Sequence, residues 1–199
     1  LRRLVGHPDF AGHLTFKGGT SLSKAYGIIQ RFSEDIDLTI RRTAPHLTDL
    51  ASPAEDGLSG KERGRRSEAI KAGARMCVAG PIREALEGAV AEALRTAEGW
   101  TLEIDPEDAE AQTILFHYPG ADRSRPEDYI KPRIKLEFGA RGDPEPFESR
   151  AITPYIAEAF AEEFSDAETL VETLRVERTV CEKATILHAL HHNGKFRAG

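Results

Sequence analysis

The chain has 199 residues, with 27 Lys and Arg against 33 Asp and Glu, a formal charge of −6. With 40% hydrophobic and 30% charged residues it has the composition of a globular domain, and its size allows one core that buries roughly 70% of the unfolded surface. The net acidity argues against a general nucleic-acid coat, and the lack of any run of about 18 apolar residues excludes a membrane-spanning helix.

The chain opens on Leu1 without a signal-peptide pattern and stops at Lys195–Gly199 without closing an element, so it reads as a fragment. The first strand is His13-Leu14-Thr15-Phe16. The glycine turn Lys17-Gly18-Gly19-Thr20-Ser21 follows it, and Leu22, Ala25, Tyr26 and Ile29 then recur at helical spacing. A short helix is predicted from about Ser21, capped by Thr20 or Ser21. Residues 36–40, Ile-Asp-Leu-Thr-Ile, alternate strictly, with Ile36, Leu38 and Ile40 on one face and Asp35, Asp37 and Thr39 on the other. Residues 43–66, rich in Gly, Pro and charge, are predicted to be a long loop.

Residues 67–98 follow a helical pattern, with a new helix expected at Pro81. Strands are predicted at 100–104, 112–118 and 133–138, the last alternating Ile134, Leu136 and Phe138 against Arg133, Lys135 and Glu137. A helix over 157–164, a strand over 170–176 and a helix from about Val180 complete the chain, Thr179 and Glu182 having capping-box spacing. The fold class is α/β (α+β), a mixed sheet flanked by helices. One domain is expected over 1–150, with a mainly helical, truncated C-terminal part over 151–199. Cys77 and Cys181 have no Cys-x-x-Cys spacing, which excludes a disulfide scaffold, fits a reducing cytoplasm and predicts two buried thiols.

Three features converge on phosphate chemistry. Gly18 and Gly19 let a backbone approach a ligand closely, and the N–H groups of the turn suit an anion. Asp35 and Asp37, at i and i+2 of a strand, send two carboxylates from one face. Such a pair repels unless a cation bridges it, and Mg²⁺ or Mn²⁺ is the natural bridge between carboxylates and phosphates. Glu137 leaves a later strand on its polar face as a third metal-ligating acid. A phosphate turn with a carboxylate pair suits nucleotidyl transfer between two metals. The P-loop pattern is absent, since here the lysine precedes the glycines, and the dinucleotide-binding Gly-x-Gly-x-x-Gly does not occur.

Phe16-Lys17-Gly18-Gly19-Thr20-Ser21-Leu22 followed by Arg31-Phe32-Ser33-Glu34-Asp35-Ile36-Asp37-Leu38 resembles the AbiEii/AbiGii toxin family, within the polymerase-β-like nucleotidyltransferases. Residues 133–138 and Glu177-Arg178-Thr179-x-x-Glu182-Lys183-x-x-x-Leu187-His188 resemble later blocks, so the likeness runs from about 13 to 190. The resemblance implies a nucleotidyltransferase fold and a metal-dependent transfer of NMP from an NTP to an acceptor, with RNA (tRNA) as the expected one. It implies the toxin of a type IV toxin–antitoxin or abortive-infection pair, with an antitoxin partner; no membrane partner is expected, given the lack of a long apolar run. It places Gly18, Gly19, Thr20 and Ser21 in the nucleotide-binding turn, Asp35 and Asp37 at the metal and Lys183 at the substrate. A small-molecule (antibiotic-type) acceptor and a non-catalytic binding role stay open as alternatives.

Each feature also has a plainer explanation. Asp35 and Asp37 could be a solvated strand face, and Glu137 could pair with Lys135 or Arg133. Lys183 in a first helical turn would oppose the helix dipole, which favours a functional use over a solvated one. His188 and His192 share a helix face, but no third ligand type lies near them, so a zinc site is not expected. The basic residues 41–42 and 61–66 are either solvated or an RNA-facing surface.

Overall fold

The structure, a computed structural model, describes residues 1–30, 33, 35–95, 98–118, 132–140, 142, 144–164 and 167–192. Its elements run α1 (Arg2–Val5), β1 (Leu14–Lys17), α2 (Gly18–Lys24), β2 (Asp35–Ile40), α3 (Gly60–Cys77), a π-helical turn (Val78–Ile82), α4 (Arg83–Leu94), β3 (Thr101–Ile104), β4 (Thr113–His117), β5 (Arg133–Gly139), β6 (Phe147–Ile152), α5 (Tyr155–Ala159), β7 (Thr169–Leu174) and α6 (Val176–His192). The strands form one mixed sheet in the order β3-β4-β5-β2-β1-β7-β6. The pairs β2/β5 and β1/β7 are parallel and the others antiparallel.

The expected α/β architecture is present. Period-2 alternation gives the central strands an apolar face: Leu14, Phe16, Leu38, Ile40, Ile114, Leu136 and Phe138 are all buried in one cluster. Ile70, Ala74, Cys77, Val78, Ile82 and Leu86 cover it from α3, the π-helical turn and α4. The opposite face carries Thr15, Lys17, Asp35, Asp37, Thr39, Lys135 and Glu137. There the Arg41 guanidinium donates to Thr15 Oγ1 from Nε, pairs with Glu172 at 2.6 Å and lies 3.7 Å from the Phe147 ring centre. That side chain fastens β1 and β2 to β7 and β6.

Several elements depart from the sequence expectations. Residues 60–66 belong to α3 rather than to a loop. Ser59 caps it, its hydroxyl accepting from Glu62 N at 3.2 Å, a Ser-x-x-Glu start hidden in a run of charge. Within that run Arg65 and Arg66 both bond Glu62, and Arg66 also pairs with Glu55, so these two cations are already engaged. Pro81 does not begin a new helix. It sits inside the π-helical turn, whose wider loop absorbs the missing N–H, and the chain stays helical from Gly60 to Leu94.

Strand β6 was not anticipated. As an edge strand it needs only one partner, β7, and its charged residues Glu148 and Arg150 share one face. The boundary drawn at residue 150 falls inside it. Helix α5 is shorter than expected, and α6 starts at Val176, directly after β7, so Thr179 is a buried residue of the first turn rather than a cap. Cys77 is buried as expected, but Cys181 is exposed, because α6 packs through little of its surface. No helix among the described residues is long and apolar enough to cross a membrane.

Gly73 measures how tightly α3 sits on the 44–50 segment. A Cβ there would meet the His46 carbonyl oxygen at 2.6 Å and Leu47 Cδ2 at 2.8 Å. Gly73→Val is expected to destabilise the chain by about 1–3 kcal/mol in urea unfolding, the usual range for forcing volume into a packed site. An unchanged urea midpoint would show that the segment yields freely.

Candidate active site

The site forms where the polar face of the sheet meets the turn between β1 and α2. In the β1–β2 ladder Lys17 lies opposite Asp37, and in the β2–β5 ladder Asp37 lies opposite Glu137 and Asp35 opposite Lys135. Thr113 continues the row beside Glu137. The pairing therefore sets three predicted acids on neighbouring strands of one face.

Asp37 is the electrostatic centre. Burial, the Glu137 carboxylate and Asp35 push its pKa up to about 6, with Lys17 and Lys183 opposing. A carboxylate held partly desolvated beside other carboxylates is one that a divalent cation would relieve, so the Asp35–Asp37 pair fits a hard metal. Among the described residues no group of three or more His, Cys, Asp or Glu is arranged to hold a metal ion. A three-acid cage with Glu137 is thus not preformed among the described residues. The His188 and His192 rings sit 4.3 Å apart. Glu137 is drawn instead to Lys135, Nζ to Oε1 2.8 Å, the pairing that alternation on an exposed strand allows. Lys135 also approaches Asp105 at 3.8 Å, and the Glu137 carboxylate holds its ammonium above the usual lysine range.

The glycine turn is built tightly onto this centre. Helix α2 starts at Gly18, earlier than expected. Gly18 has φ +77°, in the left-handed region, and a Cβ there would overlap the Asp37 carboxylate, lying 2.6 Å from its carbon. Glycine is required at 18 for both reasons. Gly19 has nothing within 4 Å of its Cβ position, so it is the open side of the turn.

The two hydroxyls are engaged with backbone. Thr20 Oγ1 donates to the Asp35 carbonyl at 2.6 Å and buried Ser21 Oγ to the Gly18 carbonyl at 2.9 Å. Thr20 ties the turn to β2, and Ser21 ties α2 back to its own first residue. Neither hydroxyl caps α2, whose N-cap is Lys17.

Lys183 is an exposed residue in the middle of α6, not in a first turn, so the dipole penalty inferred from sequence does not apply. Its charge nevertheless reaches Asp37. Helix α6 comes to the site beside the end of β5, where the Glu182 carboxylate lies 3.7 Å from the Cβ position of Gly142. Lys17, Lys135 and Asp105 were not singled out as site residues. Lys17 could have been found by extending the alternation of β1 by one residue. Asp105 could not, since only the sheet brings it to Lys135. Arg31, Phe32 and Glu34 of the second motif block lie outside the described residues.

A family model described as "Nucleotidyl transferase AbiEii toxin, Type IV TA system" matches residues 1–198. Among solved structures the chain is similar to MenT4, a nucleotidyltransferase toxin from Mycobacterium tuberculosis, at 16% identity and a TM-score of 0.46, covering 92% of this chain and 48% of that one. The chain thus spans about half the length of that structure. No curated protein matches it.

Two predictions follow from this geometry. Gly18→Ala should lower both stability and activity, because it strains the backbone by about 1 kcal/mol or more and displaces Asp37; Gly19→Ala should leave the melting temperature unchanged. Equal melting curves for the two variants would contradict the turn as described. Asp37 also sets a pH dependence. The folded chain keeps its proton up to about pH 6 and the unfolded chain loses it near 3.8, so folding binds protons in between and stability falls as pH rises through that window. In metal-free buffer Asp37→Asn should melt above the wild type at pH 8, with the gap closing by pH 4. Equal melting temperatures at pH 8 would disprove the raised value.

Proposed function

Because the chain belongs to the AbiEii family of nucleotidyltransferase toxins of type IV toxin–antitoxin systems, we propose that it transfers NMP from an NTP to an acceptor hydroxyl, with RNA, and tRNA in particular, as the acceptor. The observation that carries this reading is the row Lys17–Asp37–Glu137 on adjacent strands, with the Gly18–Gly19 turn packed against Asp37. In the proposed reaction the acceptor oxygen forms a bond to the α-phosphorus. The bond from that phosphorus to the α,β-bridging oxygen breaks, pyrophosphate leaves with the electron pair, and the hydroxyl proton goes to water.

Asp35 and Asp37 would hold the Mg²⁺ or Mn²⁺ that the family usually uses, and the metal would supply charge neutralisation at the phosphates. The backbone of Gly18 and Gly19 would receive the nucleotide, with Thr20 and Ser21 keeping the turn rigid. Glu137 would act beside the pair, held by Lys135 until a cation competes for it. Lys183 would stabilise charge developing on the phosphates or acceptor. Within a type IV system the biological role would be that of the toxin, opposed by an antitoxin. A reaction that consumes NTP would belong to the cytoplasm.

Incubation with each labelled NTP and total RNA tests the reading. Label on RNA supports it, whereas label only on small hydroxyl compounds assigns a small-molecule acceptor. No transfer with any acceptor, alongside intact NTP binding, indicates a binding protein. Asp35→Asn and Asp37→Asn should each remove most transfer. Lys183→Ala should lower turnover about a hundredfold at an unchanged melting temperature, and Lys183→Arg should not fully restore it. Near-normal turnover in Lys183→Ala would return that residue to the solvent.

A further inference from the structure

Three lysines surround the carboxylates, and they are not equivalent. Lys135 is committed to Glu137 and Asp105. Lys17 and Lys183 both act on Asp37, yet among the described residues neither forms an ion pair. For Lys17 this is unexpected. It is the cross-strand neighbour of Asp37, a placement that sets Cβ atoms about 5 Å apart and ordinarily yields a salt bridge. It is also half-buried, so having no close acceptor among the described residues costs its ammonium more than it would on an open surface.

The backbone explains where the charge is held. Lys17 is the last residue of β1 and the N-cap of α2, with an extended backbone, and Gly18 turns the chain directly against the Asp37 carboxylate. The Lys17 charge therefore acts on Asp37 from the start of the turn whose backbone would receive phosphate.

We infer that the Lys17 ammonium is a second cationic hold on the triphosphate tail of the nucleotide, acting with Lys183 beside Asp37, and that it makes the site select triphosphates over monophosphates. This rests on the nucleotidyltransferase reading. A triphosphate brings about four negative charges to a centre that already holds three carboxylates. The metal offsets only part of that charge, and Lys135 is already spoken for. Lysine suits the position as a compact point charge on a flexible stem that can follow the outgoing pyrophosphate.

The test is calorimetric titration of the wild type, Lys17→Met and Lys17→Arg with each of the four NTPs and the matching NMPs, in Ca²⁺ to suppress turnover. Methionine keeps the unbranched stem, and thermal melts check that each variant folds. The expected result is a loss of about ten- to a hundredfold in triphosphate affinity for Lys17→Met, little change for monophosphates and partial recovery in Lys17→Arg. Unchanged triphosphate affinity in Lys17→Met, or an equal loss for NTP and NMP, overturns the role of Lys17 and leaves the parent reading standing. A wild-type chain that binds none of the four NTPs overturns both.

Discussion

Strand β2 is hydrogen-bonded to β1 on one side and to β5 on the other, and the register of those two ladders is the constraint on which the rest of the structure depends. It aligns Lys17, Asp37 and Glu137 in one row and Asp35 with Lys135 in the next. A slip of one residue in β2 would turn Asp35 and Asp37 into the helix-covered core and Ile36, Leu38 and Ile40 toward the turn. Burial of Leu38 and Ile40 against α3, the π-helical turn and α4 forbids that slip, so core packing is also what aims the carboxylates. The link from apolar alternation to site geometry is direct.

The same register creates the tension that defines the site. Asp37 is squeezed between burial, Glu137 and Asp35 on one side and two lysines on the other. Asp37 raises its proton affinity in response, Lys135 captures Glu137, and Gly18 surrenders its side chain so that the turn can close over Asp37. Burial of Asp37 among carboxylates and the left-handed Gly18 both disfavour folding of the bare chain relative to a neutral, apolar alternative. In the proposed reading a bound cation would relieve the crowding at Asp37, the kind of local cost expected where function overrides stability.

The remaining structure keeps the two halves of the sheet in place around this centre. Arg41 joins β1 and β2 to β6 and β7 through Thr15, Glu172 and Phe147. Tyr26, two residues past the end of α2, donates to the Leu174 carbonyl at 3.1 Å, and Arg150 donates to the Ala25 carbonyl. These bonds hold the turn-bearing helix to the strand that leads into α6. The position of Lys183 thus depends on contacts far along the chain from the glycines.

Much was legible in sequence where the physics is local. Alternation in 36–40 and 133–138 showed two strands with acids on one face, and two glycines after a strand showed a tight turn. The resemblance of those blocks identified the family. Local patterns could not show that β2 pairs parallel to β5, that Glu137 lies against Asp37 yet bonds Lys135, or that Lys183 reaches the site from mid-helix. The start of α3 was hidden because its capping signal lies in a charged run, and β6 because an edge strand needs no apolar face of its own. Hydrophobic period and turn chemistry are properties of neighbours in the chain, and the sequence alone determined them. Register, charge pairing and the commitment of each lysine are set by residues a hundred positions apart, and only the packed sheet decided those.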